Sequence, residues 1–185
     1  MVILGVRQAQ QRDAFWRTNM FPIISARMGS VDMGQFIVSP VALSQQNPVM
    51  ITAAAGPCII VAMLSRDHAG ALGHVDGVDR IDPLLRAVRR MRTAMAAQPY
   101  QIVLTAGSDF SREDRGAAVD ALSVEFGATV EWAHPEEEDD IDGYSTAVLF
   151  PLRARLLLFS DLGDFGNHPN VNMRCSNMQY FSVVA

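Results

Sequence analysis

The sequence predicts a mixed α/β (α+β) domain, with a mixed β-sheet or β-sandwich core flanked by helices. Three observations predict it. About seven short apolar runs, bounded by turn residues, read as strands. Two longer segments carry apolar residues at helical spacing. Apolar residues make up 49% of the 185-residue chain and charged residues 19%, enough for a buried core and unlike a disordered chain. The length fits one domain, 1–185, with no internal repeat and no long linker.

Residues 1–48 give few signals: Phe36-Ile37-Val38 reads as a strand and Gln45-Gln46-Asn47-Pro48 as a turn. Val49 to Thr52 is a short apolar run, and Ala53-Ala54-Ala55-Gly56-Pro57 is small and turn-prone. Cys58 to Leu64 is a continuous apolar run, β-branched near its start, as expected of a buried strand. Arg66 to Gly70 makes a hairpin turn, and Ala71 to Val75 returns as the partner strand.

Asp82-Pro83 opens a helix, with aspartate at the N-cap and proline at the first helical position. Its inward stripe is Leu84, Val88, Met91 and Met95, which leaves Arg86, Arg89 and Arg90 on a solvated face. Tyr100 to Thr105 is a strand. Ser111 caps a second helix whose first turn holds Glu113 and Asp114, where carboxylates complement the helix dipole. Val119, Leu122 and Phe126 form its buried side, and Gly127 ends it. Ala128 to Ala133, Ala147 to Phe150, Leu156 to Phe159 and Gln179 to Val184 are strands, separated by an acidic loop (Glu136 to Asp140) and a long polar loop (Asp161 to Asn172).

Composition narrows the function. A net charge of −5 argues against non-specific nucleic-acid binding, which needs a basic surface. No apolar run approaches the roughly 20 residues that span a bilayer, so no membrane partner is expected. The first residues lack the layout of a secretory signal, which predicts a cytoplasmic protein as synthesised. Two cysteines, Cys58 and Cys175, are too few for a disulfide scaffold and read as free thiols. All 15 basic residues are arginine. A GC-rich genome accounts for that. So does an effector toxin delivered to a host cell, which without lysine would escape ubiquitination at side chains.

The candidate chemistry sits in the middle of the chain. Cys58 follows Gly56-Pro57, and His74 comes 16 residues later, after a hairpin-length excursion. Paired strands can bring the two together, so that the imidazole takes the thiol proton and the thiolate attacks a carbonyl carbon. The structural alternative is a cysteine that only packs in the core. The small residues up to Gly56 allow a substrate backbone to approach closely. Thr52, six residues before the cysteine, is placed to orient the imidazole.

Thr52-Ala-Ala-Ala-Gly-Pro-Cys58 followed by Gly73-His74 resembles the Thr/Cys/His pattern of the CheD chemoreceptor deamidases. It also resembles the glutamine deamidase toxins of the cytotoxic-necrotizing-factor and lethal-factor type. The resemblance implies Cys58 as nucleophile, His74 as general base and acid, and Thr52 as the group that holds the ring. His74-Val-Asp76-Gly77-Val-Asp79 and Gly107-Ser108-Asp109 resemble segments of protein N-terminal asparagine amidohydrolase. Together these matches span Thr52 to Asp109. Two features depart from the patterns: Pro57 stands where deamidases commonly have Ser or Gly, and Asp76-Gly77 replaces the apolar-Pro pair that follows the CheD histidine. Proline has no N–H, so the oxyanion donors have to be the Cys58 amide and another nearby group.

The expectation is therefore a protein glutamine or asparagine deamidase working through a thioester, with no cofactor and no metal. Its partner is a protein substrate bound near Gly56 and Asp76. An N-terminal asparagine amidase and a non-catalytic binding module of the same fold are the alternatives. Asp76 also reads simply as a turn residue before Gly77. His68 reads as a solvated turn residue, and His134 and His168 as loop residues. A zinc site from Cys58, His68, His74 and Asp76 matches no standard spacing. Cys175 reads as an unreactive thiol, and Gly163 to His168 as a lip over the site.

Overall fold

The structure is a computed structural model. It describes residues 1–6, 28–39, 48–76, 81–106, 110–133, 144–161 and 178–182. The acidic loop, His134, His168, Cys175, Gly77, Asp79, Gly107 to Asp109 and most of the long polar loop lie outside the described residues.

Two mixed sheets are present. The five-stranded sheet has the order β1 (Val2–Val6), β10 (Arg155–Asp161), β9 (Tyr144–Phe150), β4 (Val49–Ala55), β2 (Met28–Ser30). The six-stranded sheet runs β11 (Gln179–Ser182), β3 (Gln35–Ser39), β6 (Gly70–Val75), β5 (Ile59–Ser65), β7 (Pro99–Thr105), β8 (Thr129–Trp132). The β1–β10, β2–β4 and β7–β8 pairs are parallel, and the other pairs are antiparallel. Among the described residues the α-helices are α1 (Ile81–Met95) and α2 (Arg112–Phe126). The class is α+β, as the alternation of apolar runs and helical stripes requires.

Side-chain alternation sorts the core into two layers. Along β5, Ile59, Val61 and Met63 face the helices, where Leu84, Val88, Met91, Leu122 and Phe126 cover them. Ile60 and Ala62 face the other sheet, where Met50, Ala147, Leu149, Leu156 and Leu158 meet them. All of β5 is buried because both its faces are covered, which is why it reads as an unbroken apolar run. The helices thus flank one face of the six-stranded sheet, and the sandwich interior lies on its other face. Gly73 in β6 lets α1 sit close: a Cβ there would lie 2.8 Å from Met91 Sδ.

Several boundaries differ from the sequence reading. β4 continues through Ala55, across a bulge between Thr52 and Ala55, where small residues suggested a turn. Cys58 sits in the bend just before β5 rather than as its first residue. Asp82 lies inside the first turn of α1, which starts at Ile81, and is not its N-cap. Ala118 is buried on α2, with Val119 only half-buried beside it. The caps of α2 are as the residue types require. Ser111 Oγ accepts from the Asp114 amide at 3.1 Å, and Gly127 closes the helix at φ 58° with its amide on the Ser123 carbonyl. Arg89 on α1 makes a two-pronged ion pair with Glu125 on α2, Nη2 to Oε2 being 2.7 Å. Among the described residues no helix is long and apolar enough to cross a membrane.

Candidate functional site

The middle of the sandwich interior is apolar, and buried polar residues lie towards its ends, with His74 and Thr52 at one of them. His74 lies on β6 with the parity of Leu72, which faces the other sheet, so its ring points into the interior and only 3% of the residue is exposed. Thr52 lies on β4 with the parity of Met50 and points inward from the opposite sheet. The two meet: Thr52 Oγ1 is 3.0 Å from His74 Nδ1. The same hydroxyl donates to the Val31 carbonyl at 3.0 Å.

That pair of contacts fixes the histidine tautomer. A threonine hydroxyl has one proton, and it is committed to Val31. The contact to the ring therefore has to be an Nδ1–H donating to Thr52 Oγ1. Nε2 then carries the lone pair. Nε2 is buried and has no hydrogen-bond partner among the described residues. A buried nitrogen with an unused lone pair is a proton acceptor waiting for a donor. Burial lowers the His74 pKa below the ordinary histidine value and prevails over the opposing fields of Asp32 and Asp76, so the ring is held neutral. The turn after β2 braces this end of β6: the Gly34 amide donates to the His74 carbonyl at 2.8 Å, and Gly34 adopts φ 76°, which glycine accommodates without strain.

Cys58 is on the same face. Ile60 pairs with His74 across β5 and β6, and Cys58, two residues before Ile60, packs with it in the same inner cluster. Cys58 and His74 are thus diagonal neighbours on one face of the sheet. Cys58 Sγ and His74 Nε2 do not meet in this structure. The thiol is directed at Asp76, with Sγ 3.7 Å from Oδ1, and Nε2 accepts no hydrogen bond from it. Cys58 is 4% exposed, while its neighbours in space and chain, Asp76 and Pro57, are exposed. Gly56 is buried in the bend leading to the sulfur.

Sequence reasoning thus finds Thr52, Cys58, His74, Gly56 and Asp76 at one end of the sandwich. It misses Val31, whose carbonyl orients Thr52, and Asp32, whose charge acts on the ring. It also misses Ser145, whose hydroxyl donates to the Ala106 carbonyl at 2.8 Å on the same rim. No local pattern marks these residues, since they arrive on β9 and on the segment after β2 through long-range pairing. His68 lies at the far end of the β5–β6 hairpin, with Nδ1 3.2 Å from the Pro151 carbonyl. Six residue steps along the chain separate it from His74, roughly 20 Å, so the zinc arrangement weighed from sequence does not form. In comparisons with known proteins, the chain matches no family model and no curated protein.

Proposed function

We propose that this chain is a cysteine-dependent amidohydrolase acting on the carboxamide side chains of proteins. The observation that carries the reading is the neutral, buried His74 ring. Its Nδ1–H is held by Thr52, and its unpartnered Nε2 lies on the face shared with the Cys58 thiol. A thiol and a tautomer-locked base form the working part of a nucleophilic acyl-transfer site.

In the proposed cycle, rotation about the Cys58 Cα–Cβ bond carries the sulfur from Asp76 to Nε2. The thiol proton passes to Nε2, and the sulfur attacks the carboxamide carbon of Gln or Asn to form the C–S bond. His74 returns that proton to the amide nitrogen, the C–N bond breaks and ammonia leaves. Water then attacks the thioester, giving a proton to Nε2. The C–S bond breaks, the leaving sulfur takes that proton back from Nε2, and the carboxylic acid product and the Cys58 thiol are released.

One observation favours a second reading. The exposed Asp76 carboxylate beside the sulfur suits a substrate ammonium group, as an N-terminal asparagine would present. The deciding experiment incubates cell lysate with the wild-type protein and with Cys58→Ser, followed by mass spectrometry of amide-to-acid conversion. Conversion at internal Gln or Asn by the wild type alone supports the deamidase. Conversion at N-terminal Asn alone supports the amidase. No conversion refutes both and leaves a binding module.

A further inference from the structure

A second buried polar atom without a partner lies on the other flank of Cys58. Thr105 ends β7 and is 1% exposed, and its Oγ1 has no hydrogen-bond partner among the described residues. On β7, Ile102 and Leu104 face the helices while Val103 faces the sandwich interior, so Thr105 also faces the interior. Ile60 pairs with His74 on one side and with Thr105 on the other. Cys58, two residues before Ile60 on the same face, is therefore diagonal to both: His74 on the β6 flank and Thr105 on the β7 flank.

Of the other hydroxyls near this end, Thr52 and Ser145 face the interior and are satisfied, whereas Thr146, whose Oγ1 has no partner among the described residues, faces away from it. Thr52 is bonded twice and Ser145 donates to the Ala106 carbonyl. Among the described residues, the Thr105 hydroxyl is thus an inward-facing one at this end with no partner. Valine has nearly the same shape, suits a buried strand and would avoid the cost of an unbonded hydroxyl. Pro57 adds a need for such a group, because the residue before the sulfur has no amide proton to offer a developing oxyanion.

We propose that Thr105 is a substrate-binding residue whose hydroxyl donates a hydrogen bond to the carboxamide oxygen, on the side of Cys58 opposite His74. This rests on the amidohydrolase reading. It divides the carboxamide between two flanks. The nitrogen faces His74, which must deliver its proton, and the oxygen faces Thr105, which stabilises the charge it gains when sulfur adds.

The test compares initial rates of ammonia release from whole-lysate proteins, with melting temperatures, for wild type, Thr105→Val and Thr105→Ser. Loss of one oxyanion donor lowers the rate by about 10²-fold. Thr105→Val is expected to show that loss while melting at or above the wild-type temperature, and Thr105→Ser to recover most of the rate. A valine variant as fast as wild type overturns the assignment and leaves the amidohydrolase standing. A valine variant that melts several degrees lower also overturns it, because the hydroxyl would then have a structural partner. A wild type that releases no ammonia removes the enzymatic reading and this inference together.

Discussion

Replacing Thr52 by valine isolates the bond between the two sheets. Valine keeps the shape and removes the oxygen, so two buried groups lose their partner: the Val31 carbonyl and the His74 Nδ1–H. Each buried group left unbonded costs about 1–3 kcal/mol, partly offset because the threonine hydroxyl no longer has to be buried. The net expectation is a loss of about 2–4 kcal/mol. For a domain of this length that corresponds to a fall in melting temperature of about 4–16 °C. Thr52→Ser keeps both hydrogen bonds and loses one methyl group, about 1 kcal/mol. Calorimetry or a circular-dichroism melt measures the stabilities, and long-range nitrogen–proton NMR spectra report which ring nitrogen carries the proton. Wild-type His74 should be protonated at Nδ1. A Thr52→Val protein that melts with the wild type, or a wild-type ring protonated at Nε2, refutes the tautomer argument.

Three further outcomes follow from the same geometry. Burial lowers the His74 pKa, so below pH of about 6.5 the unfolded chain takes up a proton that the folded chain refuses. His74 therefore makes stability fall as the pH drops from about 6.5 toward the lower folded value, and the acid limb of any Cys58-dependent rate lies below the ordinary histidine range. Proton NMR of the His74 ring across that window checks it, and a midpoint at or above 6.5 contradicts it. Asp76→Asn removes the negative charge beside the sulfur, which favours the thiolate, so Cys58 should be alkylated by iodoacetamide about three- to tenfold faster near neutral pH. Mass mapping of labelled peptides separates Cys58 from Cys175, and an unchanged or slower Cys58 rate counts against the contact. Gly70→Ala would place a Cβ 2.6 Å from Cγ of the Pro151 ring, which has little freedom to move. The expected cost is about 1–3 kcal/mol. A melt indistinguishable from wild type would show that the hairpin and the Pro151 turn are not packed as described.

The legible parts of the fold are those with local causes. β5 and β6 declare themselves through an apolar run, a turn and a returning strand, and α2 through Ser111, its acidic first turn and Gly127. β1 and β2 carry no such signal. Each is held by a parallel partner far away in the chain, β10 and β4, and Met28–Ser30 is too short to show a period. The continuation of β4 through Ala55 was hidden because small residues suit a turn and a bulged strand equally well. The site followed the same division. Cys58, His74 and Thr52 lie within 23 residues of one another and form a spacing pattern. The residues around them do not: Val31 comes from the segment after β2, and Thr105 is brought beside Cys58 only by the register β6–β5–β7.

The hydrogen bond from His74 to Thr52 joins residues on different layers of the sandwich, so the position of one proton depends on how far apart those layers stand. A distant core substitution that lets them slide or part by an ångström would release the ring to turn, without touching the sulfur or unfolding the chain. Loss of the His74–Thr52 hydrogen bond on warming should accordingly precede loss of secondary structure, with the interlayer contact acting as a clasp that opens first.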